Sequence, residues 1–208
     1  MNKTQKTLIT RTVGQIAVAV DLPKSALLGT PAIALLAHPH PLFGGTMDNK
    51  VAQTLARTLA ELGYISVRSN FRGVGQTEGV HDEGVGETED LLTVLAWAQN
   101  EFAAHGAVVL AGFSFGTFVN SFIAQRLSAQ NQAVARMVMV GTAAGKWAVQ
   151  TVPEDSIVIH GELDETIPLY DVLRWAEPQD LPVTVVAGAD HFFHRRLQVI
   201  KNIIVRQW

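Results

Sequence analysis

The chain has 208 residues, 48% hydrophobic and 17% charged, a composition that suits one globular domain spanning residues 1–208 and argues against disorder. A formal net charge of −3 with no run of lysine and arginine offers no basic surface for nucleic acid. With no cysteine, disulfides, a thiolate nucleophile and cysteine zinc sites are excluded. Near the N-terminus Leu8-Ile9 is soon interrupted by Thr10 and Arg11, so no leader-like apolar region forms, and no apolar stretch reaches the roughly 18 to 20 residues that span a bilayer. The expectation is a soluble, cytoplasmic protein with no membrane partner.

Taken in chain order, residues 7–12 and 15–21 alternate or nearly alternate around Gly14 and predict an opening pair of strands. Residues 32–37 predict a buried strand, and 48–62 a helix with Asp48 as N-cap and Gly63 as its stop. Strand and helix then alternate: strand 64–69, helix 87–103, strand 107–111, helix 117–130, strands 136–140 and 157–160, helix 169–176, strand 183–186 and a closing helix 194–206. Nearly continuous apolar strands linked by helices imply a mostly parallel sheet with helices on both faces. In such a sheet ligands bind at the rim beyond the carboxyl ends of the strands, so polar residues that directly follow strands are the ones to weigh.

The strongest of these is Gly112-Phe113-Ser114-Phe115-Gly116, where a buried strand meets a helix. A serine on so sharp a turn is strained and crowds the residues two before and two after it, which glycine relieves, and its hydroxyl stands beside the positive end of the next helix. Serine is a poor nucleophile at neutral pH and needs a base. Imidazole, with a reference pKa near 6.5, takes the proton and returns it to the leaving group. An acid on the other ring nitrogen fixes the tautomer and stabilises the imidazolium. Asp164 follows the strand ending at His160 and His191 follows the last strand, giving the order Ser114, Asp164, His191. Glu162, Glu165 and Asp190 compete as the acid and His194 as the base. The backbone N–H of Phe115 and one from the loop His38-Pro39-His40-Pro41-Leu42-Phe43-Gly44-Gly45 are candidate oxyanion donors; proline has no N–H, which leaves His40, or Leu42.

Metal and nucleotide readings are poorer. His38-x-His40 with His191 lacks the spacing of a metal site. Gly141 to Lys146 is one residue short of a phosphate loop, and Gly73-Val74-Gly75 lacks the third glycine of a dinucleotide fingerprint. No metal and no cofactor are expected.

The proline-rich loop, Asn70-Phe71-Arg72-Gly73-Val74-Gly75-Gln76-Thr77-Glu78-Gly79, the glycine-flanked serine, His160-Gly161-Glu162-Leu163-Asp164 and Gly188-Ala189-Asp190-His191 together resemble the α/β-hydrolase superfamily over nearly the whole chain. Within it the sequence is similar to small bacterial hydrolases near the dienelactone-hydrolase and esterase branch. That resemblance implies an eight-stranded sheet, the roles of nucleophile, acid and base for Ser114, Asp164 and His191, and a rim rather than a catalytic place for the Asn70 loop, so Arg72 stays outside the site. The dienelactone hydrolases proper use cysteine, which sets dienelactone aside as substrate. Between the strand ending at Val140 and the next at Ile157 there is too little chain for the helical lid common in the superfamily, so the fold is expected without a lid and the substrate small or soluble. Phe43, Phe113, Phe115, Trp147 and Phe192 are candidates to line an acyl pocket or simply to pack. The expectation is a serine esterase acting on a small-molecule ester. Thioesterase, amidase or peptidase-like action and a non-catalytic binding role stand as alternatives, and the oligomeric state is left open.

Overall fold

Strands with no polar face need cover on both sides, and the pattern of side chains divides that cover between two helical layers. The computed structural model describes residues 4–11, 14–24 and 31–208; Thr12, at the expected end of the first strand, lies outside them. The strands are β1 (Gln5–Arg11), β2 (Gly14–Asp21), β3 (Ile33–Ala37), β4 (Ile65–Ser69), β5 (Val108–Phe113), β6 (Val134–Val140), β7 (Ile157–Gly161) and β8 (Val183–Val186). They form one eight-stranded sheet in the order β1-β2-β4-β3-β5-β6-β7-β8. β2 pairs antiparallel with both β1 and β4, and every pairing from β4 to β8 is parallel.

Along β3, Ile33, Leu35 and Ala37 enter one core and Ala34 and Leu36 the other; β5 and β6 alternate likewise. The first core is closed by α2 (Val85–Glu101), α3 (Phe115–Ala129) and α4 (Leu169–Ala176), the second by α1 (Lys50–Glu61) and α5 (Leu197–Gln207). In α1, Val51, Leu55 and Leu59 recur every four residues and give that helix its single buried stripe. The connection from β6 to β7 contains no helix, so the sheet carries no lid there. It is instead tied down on α3: Ala143 N–H donates to Thr117 Oγ1 and Gln150 N–H to Ser121 Oγ, each at 3.0 Å.

Four helix starts differ from the sequence expectation; α2 begins at Val85, two residues before Glu87, whose side chain accepts from Gly84 N–H, and the other three differ for local reasons as well. Asn49, not Asp48, caps α1, accepting from Val51 and Ala52 N–H. Asp48 is drawn instead to Lys6 at 2.8 Å and Arg68 at 3.1 Å. The last helix begins at Leu197 rather than His194, because Asp190 and Phe193 set successive turns before it. α3 begins at Phe115, two residues early, so Ser114 occupies its N-cap position.

Ser114 has φ 54°, ψ −124°, the strain foreseen for so tight a reversal, on the order of 1–3 kcal/mol for such a conformation. Gly112 and Gly116 meet across the turn: a Cβ on Gly112 would lie 2.8 Å from the carbonyl of Gly116, and one on Gly116 would run into the backbone of Ala37 and His38. The turn is thus seated on the end of β3. Replacing Gly116 with alanine should cost about 1–3 kcal/mol, as overpacking against backbone does, and lower Tm by roughly 3–10 °C in a chain of this size. An unchanged Tm in a thermal melt would contradict the close approach.

Candidate active site

Three strand ends bring the expected residues together. His191 Nε2 lies 3.1 Å from Ser114 Oγ, and His191 Nδ1 lies 2.7 Å from Asp164 Oδ2. All three are buried, with 5–6% of each exposed. The second carboxylate oxygen of Asp164 accepts from Thr166 N–H at 2.9 Å and Ile167 N–H at 2.8 Å, which fixes the carboxylate plane. Burial by itself raises the Asp164 carboxyl, but the hydrogen bonds from His191 and Ile167 outweigh it and hold the group below its ordinary value. It is therefore ionised at neutral pH, as a partner for imidazole must be.

The competing acids and base lie elsewhere. Asp190 and His194 pair with each other at 2.6 Å on the surface. Glu162 accepts from Gly188 N–H at 2.8 Å, and Glu165 is exposed. Arg72 grips Asp90 through two hydrogen bonds of 2.9 Å and stays outside the site.

The proline-rich loop turns through a short 3-10 segment, Pro41–Phe43, that His40 caps. Leu42 N–H is spent on His40 Nδ1 at 3.2 Å. Among the described residues no hydrogen bond engages the N–H of His40 or that of Phe115. The His40 and Phe115 side chains lie against each other, ring centroids 4.6 Å apart. Phe113 and Phe115 are fully buried and pack in the two cores; Phe43 and Phe192 reach solvent, and Trp147 is half-buried.

Burial depresses His38 to about 4, against the opposing hydrogen bond to Pro39. Its Nδ1–H donates to Pro39 O at 2.6 Å and its Nε2 accepts from Phe71 N–H at 2.8 Å. Both nitrogens are thus engaged, and the ring is a neutral strut between the proline-rich loop and the Asn70 loop. Three residues near the site escaped the sequence reading. His160 donates Nε2–H to Ile167 O at 2.9 Å and lies 3.5 Å from Asp164 Oδ2, steadying the acid's turn; the available signal was a histidine four residues before the acid at a strand end. His81 and the buried Glu87, 2.9 Å apart, lie beside His40 and Phe115. Glu87 looks in sequence like an ordinary helix-start acid.

Sheet, reversal at Ser114 and lidless rim define an α/β hydrolase. The model of the X-Pro dipeptidyl-peptidase (S15) family matches residues 15–179, and the chain belongs to that family. It is 33% identical to a lidless α/β serine hydrolase from Xanthomonas campestris, with a TM-score of 0.87 and 99% of this chain and 93% of that one covered. With an α/β serine hydrolase homologue from Coxiella burnetii it shares 37% identity and a TM-score of 0.84, covering 99% and 97%. An uncharacterised protein of Rickettsia prowazekii is 32% identical over 83% of this chain and 76% of its own length. Among the described residues no helix is long and apolar enough to cross a membrane.

His38 also gives a stability signature. The folded chain resists protonation down to about pH 4, whereas unfolded histidine binds a proton near pH 6.5. Its contribution is complete above pH 6.5 and declines as pH falls toward 4, by about 2–3 kcal/mol at pH 4.5. In urea unfolding between pH 7 and 4.5, His38→Gln should lose correspondingly less stability than the parent; parallel declines would contradict the neutral strut.

Proposed function

We propose that this hydrolase cleaves carboxylic esters of small or soluble acyl groups through an acyl-enzyme on Ser114. The observation that carries the reading is the unbroken chain Ser114 Oγ, His191 Nε2, His191 Nδ1, Asp164 Oδ2, with separations of 3.1 and 2.7 Å. His191 withdraws the Ser114 proton as Oγ attacks the carbonyl carbon. The negative oxygen that forms is received by the N–H groups of His40 and Phe115, and the imidazolium by the Asp164 carboxylate. His191 then protonates the departing alcohol, and a water activated by the same ring releases the acid and restores Ser114. No step calls for a cofactor or metal.

The free N–H of His40, against the occupied one of Leu42, supports His40 as the second oxyanion donor. The family match favours a second reading, cleavage of a proline-containing peptide amide, since the acyl chemistry is shared. The lidless rim favours small soluble esters over substrates drawn from an oil surface.

A fluorophosphonate probe should label the protein one to one, and Ser114→Ala should abolish labelling; failure to label folded protein would refute the nucleophile. Asp164→Asn should lower kcat on 4-nitrophenyl butyrate by about a hundred- to ten-thousandfold while labelling becomes slow. The same preparation tested on an X-Pro 4-nitroanilide separates the two readings: turnover of the anilide at a rate matching the ester would favour the peptidase.

A further inference from the structure

Between His38 and the N–H of His40 the backbone has one soft torsion. The ring of Pro39 fixes its φ, and the Pro39–His40 peptide is trans and planar, so rotation about ψ of Pro39 decides where that peptide faces. Its carbonyl and the His40 N–H leave opposite edges of one plane, and whatever holds the carbonyl therefore aims the N–H. His38 holds it: Nδ1–H donates to Pro39 O at 2.6 Å. A carbonyl only accepts and an amide N–H only donates, so the contact of 2.8 Å from Phe71 N–H to Nε2 settles the ring as Nδ1–H with a bare Nε2.

The His38 ring is itself immobilised, buried and packed on the Phe71 ring with centroids 4.2 Å apart. Gly45 fits against the same carbonyl: a Cβ there would fall 2.0 Å from Pro39 O. The next carbonyl, His40 O, accepts from Phe43 N–H at 3.2 Å and Gly45 N–H at 3.0 Å. Both carbonyls that flank the His40 N–H are thus engaged within the loop, whereas that N–H has no hydrogen bond among the described residues. The start of the loop is seated on the reversal at Ser114, since a Cβ on Gly116 would lie 2.3 Å from Ala37 O and 2.8 Å from His38 O.

We infer that His38 is a positioning residue for the reaction: by holding Pro39 O through Nδ1 it sets the direction of the His40 N–H that receives the oxyanion. Without that bond the torsion at Pro39 is free to turn, and a half-turn would present the carbonyl oxygen where the N–H had been, set against the negative charge that develops. The bond from Phe71 to Nε2 anchors the ring but does not touch this peptide, so the two nitrogens have separable duties. His38-Pro39-His40 is then one device: an imidazole, a locked φ and a donor. This role rests on the Ser114 reading above and on His40 as its second oxyanion donor.

The test separates the two nitrogens. Asparagine places its amide nitrogen where Nδ1 stands and keeps the bond to Pro39 O; glutamine places its amide oxygen where Nε2 stands and keeps the bond from Phe71 N–H. On 4-nitrophenyl butyrate, His38→Gln should lower kcat by about ten- to a thousandfold, the upper end being the loss of a whole donor, with KM within about threefold of the parent. His38→Asn should restore most of that kcat. Each variant forgoes one hydrogen bond, so thermal melts should show similar losses in Tm. Binding of a trifluoromethyl ketone, whose adduct with Ser114 carries the oxyanion, should weaken in His38→Gln in step with kcat/KM. Gly45→Ala pushes on the same carbonyl from its other side and should repeat the kcat loss, and it decides the matter if the His38 variants do not fold. Equal kcat in the Gln and Asn variants, activity that follows Tm alone, or an undiminished kcat in Gly45→Ala would overturn the positioning role while an active, fluorophosphonate-labelled parent leaves the Ser114 reading standing. If the parent neither cleaves the ester nor takes up the probe, it is the Ser114 reading that fails, and the role of His38 with it.

Discussion

Everything at the rim of this sheet depends on one backbone reversal held against its own preference. At φ 54° Ser114 occupies a conformation that a side chain resists, and it is kept there from three directions. Its N–H donates to Val140 O at the end of β6, its carbonyl accepts both the N–H and the hydroxyl of Thr117, and Gly116 is pressed onto the backbone of Ala37 and His38. Two of these restraints come from different strand ends, β6 and β3, and the third from the first turn of α3, so the reversal also registers those ends with one another. β3 delivers His40 next to Phe115, and β6 delivers Gly141, against which the His191 ring lies. Strain at the serine and alignment of its neighbours are the same set of contacts.

The histidines around this reversal are sorted by what their nitrogens touch. His191 spans a hydroxyl and a carboxylate. His38 and His160 donate to backbone carbonyls from buried positions, and burial lowers the proton affinity of both. His40 is likewise lowered, by partial burial and by the neighbouring His81. Identical side chains thus differ in proton affinity and bonding through partners alone, with no change in intrinsic chemistry.

Much of the fold was legible because the signals were local. Apolar runs such as 107–111 and 136–140 marked strands to within two residues, and 169–176 and 183–186 matched α4 and β8 end to end. The juxtaposition of Ser114, Asp164 and His191 was legible for a topological reason, since each follows a strand whose carboxyl end must face the same rim. What stayed hidden was set by tertiary partners. Asp48 has the chemistry of a cap, but Arg68 from β4 claims it. His194 looks like the first residue of a helix until Asp190 folds it into a turn. His81 and Glu87 are six residues apart across a loop with no periodicity, and nothing in the order of residues announces that they meet.

The short connection between β6 and β7 has a further consequence. Its two ends are anchored on α3 at Thr117 and Ser121, and Trp175 Nε1–H adds a hold at Val149 O, so the stretch between Ala143 and Val149 is bracketed by bonds that do not involve its own middle. Within that middle Trp147 N–H donates to Ala143 O and its ring packs against His40 and Phe115. The same feature that leaves the rim open therefore confines any lengthening to a stretch whose flanks are held by α3 and α4, apart from the strands and the strained serine.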